Sequence, residues 1–136
     1  MANRISVDTA GWMSMADKND KHHTECIRAR DEWLRKGYLF LTTDYVVDET
    51  LTLIRTRIGI DGAEKWWDQV SGSPRLKFEW IHFERAERAR VWFFKWRDKS
   101  FSFTDCTSFV VMKELSLIMA FTGDKHFVEA GFEILP

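Results

Sequence analysis

Short apolar runs, separated by longer segments with helical periodicity, mark this chain from end to end and leave few folds open to it. Arg4-Ile5-Ser6-Val7, Tyr38-Leu39-Phe40-Leu41, Leu117 to Phe121 and Phe132 to Leu135 have the length of strands and are too short for core helices. Leu76, Phe78 and Trp80 alternate with Lys77 and Glu79, the two-residue period of a strand. Between these runs, Trp12, Met13 and Met15 predict a short helix, and a longer one runs from about Asp20 to Lys36, with Gly37 as its left-handed stop. Val47, Leu51, Ile54 and Ile58 form one helical stripe that Gly59 ends, and Thr42 and Thr43 stand where a cap belongs. Further helices are expected over Asp61 to Val70, Glu84 to Trp96 and Ser102 to Leu115, with a turn at Ser71-Gly72-Ser73-Pro74. Strands alternating with helices predict an α/β fold, a three-layer α/β/α sandwich around a mainly parallel sheet.

No repeat, linker or low-complexity stretch interrupts the pattern, so residues 1–136 are read as one domain. At 45% hydrophobic residues, with 7 Trp and 11 Phe, such a domain can bury a core without covalent staples. Cys26 and Cys106 show no C-x-x-C spacing, which argues against a disulfide framework or zinc knuckle and for a reducing, cytoplasmic setting. The sequence contains no secretory leader pattern and no apolar run long enough for a membrane span. Net charge is −1, so affinity for nucleic acid would have to come from local clusters. Arg28, Arg30, Arg35 and Lys36 form one; Arg55 and Arg57 a second; Arg85, Arg88, Arg90, Lys95, Arg97 and Lys99 a third. Each cluster also fits an ordinary solvated helix face.

In an open parallel sheet, ligands bind beyond the carboxyl ends of the strands. Asp8 follows the first strand directly, and Asp124 follows Phe121 across Thr122-Gly123. Glu49 and Asp105 fall in the first turns of helices that start at the same edge. Four carboxylates converging there either share protons or hold a cation, and an all-oxygen donor set suits Mg²⁺ or Mn²⁺. Such an ion activates water and neutralises phosphodiester charge, which is nuclease chemistry. Each acid also has a structural reading. Asp105 lies at capping-box spacing from Ser102, Asp8 fits a turn, and Asp124 fits a cap for Lys125 to Glu129. Glu49 sits between Val46 and Leu53 at the margin of apolar surface, while Asp48 points about 100° away around the helix.

Other chemistries fit poorly. His22 and His23 are adjacent, so they diverge on a helix and no Cys stands at zinc-ligand spacing. Neither G-x-S-x-G nor G-x-x-x-x-G-K-[ST] occurs. An aspartyl-nucleophile phosphatase needs a second Asp two residues after the first, where Ala10 stands, and the acid pair of a response regulator is also missing.

Taken together, Val7-Asp8-Thr9-Ala10-Gly11-Trp12, Val47-Asp48-Glu49-Thr50-Leu51, Ser102-Phe103-Thr104-Asp105-Cys106 and Phe121-Thr122-Gly123-Asp124-Lys125-His126-Phe127 resemble the PIN-domain ribonucleases, especially VapC-type toxins of toxin–antitoxin pairs. The resemblance spans nearly the whole chain and includes the closing Ala130-Gly131-Phe132. It implies a PIN-like sandwich, a Mg²⁺ or Mn²⁺ site and endonucleolytic cleavage of RNA by a metal-activated water. Asp8, Glu49 and Asp105 match the three most regular acids of the family, and Asp124 its more variable fourth. Thr9 and Thr104 match hydroxyl positions that orient carboxylates or water. Arg28, Arg30, Arg35, Arg88, Arg97 and Lys99 are the expected RNA-backbone contacts. The implied partners are an RNA substrate, a small antitoxin inserted in the active-site groove, and a second copy in a homodimer. The rival reading is a PIN fold kept as an RNA- or protein-binding module that does not cleave.

Overall fold

The computed structural model describes residues 3–136. Along the chain run β1 (Arg4–Val7), α1 (Thr9–Ala16), α2 (His23–Arg35), β2 (Leu39–Thr43), α3 (Asp44–Arg57), α4 (Ile60–Ser71), β3 (Leu76–Glu79), α5 (Phe83–Lys95), α6 (Phe103–Glu114), β4 (Met119–Phe121), α7 (His126–Glu129) and β5 (Glu133–Leu135). The five strands form one sheet in the order β3-β2-β1-β4-β5, every pair parallel, as the strand–helix alternation predicts. Among the described residues no helix is long and apolar enough to cross a membrane.

Alternation along the strands divides the core in two. Ile5, Val7, Phe40 and Phe121 pack with Trp12, Met13, Cys26, Val47, Ile54 and Trp66, so α1 to α4 cover one face. Leu41 and Ala120 pack with Ala89, Phe109, Val110 and Phe127, so α5 to α7 cover the other. Phe109 is the hub of that second layer, with Phe127, Phe101 and Trp92 ring centroids 4.9, 5.0 and 5.3 Å away. These are the edge-on and tilted contacts that aromatic quadrupoles favour. The three layers of the expected sandwich are therefore present.

Where element ends differ from expectation, local hydrogen bonding is the reason. β2 runs two residues further because Thr43 is both the last strand residue and the N-cap of α3, its side chain accepting from the Val46 N–H at 3.2 Å. The helix expected from Asp20 begins at His23, since the Asp20 carboxylate accepts from the His22 N–H and holds a turn there. At its far end Gly37 adopts φ +88°, the predicted left-handed stop. β4 starts at Met119 because α6 closes in a Schellman arrangement. The Leu117 N–H reaches the Met112 carbonyl and the Ser116 N–H that of Lys113, with Ser116 itself at φ 57°.

Sequential neighbours β1, β2 and β3 run outward one way and β4 and β5 the other, so the strand order reverses between β1 and β4. A crevice opens at such a reversal. Val7 is in register with Phe121, which sets the residues after them, Asp8 and Thr122, side by side at its mouth.

Candidate active site

A cleft of about 440 Å³ opens at that reversal, and Asp8, Glu49, Asp105 and Asp124 all line it. The four acids expected from sequence are thus brought together from four different elements. Glu49 is half-buried on the second turn of α3, whereas its neighbour Asp48 is exposed and takes no part in the cleft wall.

Asp8 is 5% exposed and occupies the N-cap position of α1, although its side chain makes no capping bond. Its Oδ2 accepts from the Thr122 hydroxyl at 3.2 Å. Thr122 in turn accepts from the Asp124 N–H at 3.0 Å, so one buried hydroxyl links the ends of β1 and β4. Burial, then the negative charge of Asp105, push the Asp8 carboxyl up to about 7, against the partial relief given by the Thr9 N–H and Thr122. This is the signature of carboxylates crowded without a counter-charge.

Asp105 fills the capping role that its sequence position suggested. It closes a capping box with Ser102, whose backbone N–H donates to its Oδ2 at 3.1 Å while its own N–H donates to the Ser102 hydroxyl at 2.9 Å. His126 Nδ1 lies 3.0 Å from that same Oδ2 and 3.3 Å from an Asp124 oxygen. Both contacts fall on Oδ2. Burial raises the Asp105 carboxyl above the ordinary range, although the Ser102 and His126 bonds pull the other way. Burial lowers the His126 pKa, but the bond to Asp105 and the charge of Asp124 outweigh it and leave the imidazole raised. Asp124 also caps locally, accepting from the His126 N–H at 2.9 Å.

Three side chains of this cleft lie at metal-ligand spacing, and Asp8 and Glu49 stand outside that group. Asp105, Asp124 and His126 each offer a ligand atom within 4.8 Å of the others. Thr9 Oγ1 is buried in the cleft wall without a hydrogen-bond partner, an orphan that a bound ion's hydration or a phosphate oxygen would satisfy. Gly11 keeps the acids close. A Cβ there would drive into the Phe121 carbonyl, so only glycine lets α1 approach the end of β4.

The remaining expectations separate. Thr9 lines the cleft, but Thr104 makes no bond to any of the acids among the described residues; its carbonyl instead accepts from the Thr107 hydroxyl at 2.6 Å. Ser102 bonds Asp105 instead, through both halves of the capping box. None of Arg28, Arg30, Arg35, Arg88, Arg97 and Lys99 lines the cleft. Arg30 pairs with Asp31, Arg88 with Glu114 and Lys99 with Asp98. Arg85, part of the third basic cluster, is buried against Glu79 and Glu114 and belongs to the core. His22 and His23 join no metal-binding group among the described residues, and His23 is bonded to the Ser14 carbonyl. Cys26 and Cys106 are free and buried, and burial pushes the Cys106 thiol up to about 12. The reading from sequence missed Thr122, His126 and Ser102 as parts of the site. All three lie within three residues of an acid, a signal that proximity in the chain carries but that residue type alone does not rank.

No model of a known protein family matches the sequence. Two curated proteins do: the 23S rRNA-specific endonuclease VapC20 of Mycobacterium tuberculosis, from strains CDC 1551 and H37Rv. Each is 30% identical over 133 residues, which cover 97% of this chain and 98% of the relative. The crystal structure of Mycobacterium tuberculosis VapC20, described as a sarcin–ricin loop cleaving toxin, superposes with a TM-score of 0.86 at 29% identity, covering 94% of this chain and 95% of that one. FitAcB from Neisseria gonorrhoeae shares the fold, with a TM-score of 0.66 at 13% identity over 97% and 96% of the two chains.

Proposed function

Because the chain belongs to the VapC-type PIN-domain toxins, which are RNA-cleaving hydrolases, we propose that it hydrolyses a ribosomal RNA phosphodiester at the carboxylate cleft with Mg²⁺ or Mn²⁺. The observation that carries this reading is the gathering of Asp8, Glu49, Asp105 and Asp124 from four elements into one cleft. Identity to an enzyme named for 23S rRNA, spread over almost the full length of both chains, supports ribosomal RNA as the substrate class.

In this reading Asp8, Asp105, Glu49 and Asp124 hold the ion, which when bound supplies charge neutralisation and an acidified water. Thr122 positions Asp8, while Ser102 and His126 position Asp105, so neither carboxylate has to reorganise when substrate arrives. Thr9 Oγ1 is buried beside these acids without a hydrogen-bond partner. The remaining parts of the proposal are a cytoplasmic setting, a small antitoxin partner and a homodimer. A groove of about 520 Å³, with Val47, Leu51, Ile60 and Trp67 on its walls beside Asp61 and Glu64, supports a helical partner segment. On α5, Phe83, Val91 and Phe94 stand exposed, which supports self-association through that helix.

The test is cleavage of end-labelled ribosomal RNA by the purified protein, with Mn²⁺ or Mg²⁺ and with chelator, beside Asp105→Asn. Cutting at discrete positions that needs the ion and disappears in the variant is expected. RNA binding with no cutting under any ion would replace this reading by the non-cleaving module.

A further inference from the structure

We propose that Arg57 anchors a backbone phosphate of the bound RNA a few nucleotides away from the bond being cut; the inference rests on the nuclease reading above. Glu49, Leu53 and Arg57 succeed one another at four-residue intervals along α3, and all three line the acid cleft. At 1.5 Å per residue, the Arg57 backbone lies roughly 12 Å beyond that of Glu49 along the helix axis. A helical arginine leans back toward the N-terminus of its helix, so the guanidinium extends from there toward Glu49. Stacked nucleotides advance about 3.4 Å per strand position, so the span from metal ligand to guanidinium covers a short run of RNA backbone.

Charge singles this residue out. The cleft lining includes the carboxylates Asp8, Asp20, Glu49, Asp105 and Asp124, and Arg57 is its one lysine or arginine among the described residues. No ion pair among the described residues engages Arg57, although acids line the same cleft. Arg30, Arg88 and Lys99 by contrast are already matched by acids, and Arg28, Arg35 and Arg97, like those three, stand away from the cleft. An exposed guanidinium with no ion pair among the described residues, lining an acid-rich cleft, presents the planar fork that grips a phosphate. It also gives a polyanion a direction of entry, cation at one end and metal ligands at the other.

Binding separates this positioning role from the chemistry. In an Asp8→Asn background, anisotropy of a labelled ribosomal-RNA hairpin is followed through a salt titration. Arg57→Gln is expected to weaken binding about five- to tenfold at low salt and to flatten the log K against log salt slope by about 1, while Arg57→Lys keeps the slope. Arg55→Gln, one turn-neighbour outside the cleft, leaves both unchanged. In the cutting-competent protein, Arg57→Gln raises KM and leaves kcat within about twofold. An unchanged slope and affinity in Arg57→Gln, or no salt-dependent RNA binding by the parent, overturns the proposal. So does an acidic peptide whose binding needs Arg57 while RNA binding does not. If RNA binding depends on Arg57 but the unmodified protein never cuts, the nuclease reading fails and the anchor stands; cutting with an indifferent Arg57 gives the reverse.

Discussion

Two regions of this molecule bury charge, and they treat it in opposite ways. Beside α5 and α6, the Arg85 guanidinium donates two bonds to Glu114 at 3.0 and 3.1 Å, meets Glu79 at 2.9 Å and donates to the Trp80 carbonyl at 3.0 Å. Arg88 adds a second cation on Glu114 at 2.9 Å. At the β1–β4 crevice, Asp8, Asp105 and Asp124 crowd one another beside His126, and Asp8 is pushed up to about 7. The first cluster is complete as it stands, and its acid and base each favour the other's charged form. The second gathers more acid than base. Buried charge that carries its own counter-charge is architecture; buried charge lacking one is a binding site in waiting.

Substituting each cluster tests that contrast. Asp8→Asn should lower RNA cleavage on the order of 10²–10³-fold, because an electrostatic anchor of the transition state is lost. The same change should make the metal-free protein more stable at pH 8. The sign follows from proton binding. Folded Asp8 holds its proton up to about pH 7, whereas an unfolded aspartate releases it near its ordinary value of 3.8. Between those values the native state binds more protons, so its stability falls as pH rises through the window and levels off above about 7. Thermal melts of the metal-free protein from pH 4 to 8 should show this contribution in the parent and lose it in Asp8→Asn. Saturating Mn²⁺ should restore the parent's stability at pH 8 and do little for the variant. Equal slopes in parent and variant would mean that Asp8 does not carry the crowding.

Arg85→Ala should do the reverse, costing about 3 kcal/mol in denaturant unfolding because Glu79 and Glu114 lose their partner. Cleavage per folded molecule should be unchanged at low temperature, and a variant of parental stability would contradict the architectural role. The smallest effect is expected from His126→Ala, at a residue that lines the cleft and holds Asp105 and Asp124. Mn²⁺ affinity measured by calorimetry should drop ten- to a hundredfold, the usual range for a group that orients ligands. Unchanged affinity would confine His126 to helix capping.

Much of the fold was readable because its signals are local. The Leu76–Phe78–Trp80 alternation, the stripe from Val47 to Ile58 and the left-handed Gly37 each report on a few neighbouring residues, and each element is present within a few residues of its expected bounds. The acids were readable for a related reason, since residues just beyond strand ends have few positions available. The surroundings of the basic residues were not readable, for the opposite reason. Arg85 looks like any arginine on a polar helix face until Glu79 and Glu114 arrive from β3 and α6. Arg57 looks like a helix-ending cation until the cleft is assembled beside it.

From the sequence alone came the strand–helix alternation, the helix caps at Thr43 and Ser102, and the four carboxylates placed at one edge of the sheet. Periodicity and capping depend on residues a few positions apart, and these the linear order already brings together. The tertiary structure decided which charges were matched and which left bare: that Thr122 would bridge Asp8 and Asp124, that His126 would turn to Asp105, and that Arg85 would vanish into the core. Electrostatic balance is set by distance and burial, and residues more than a hundred positions apart, such as Asp8 and Thr122, acquire both only when the sheet closes.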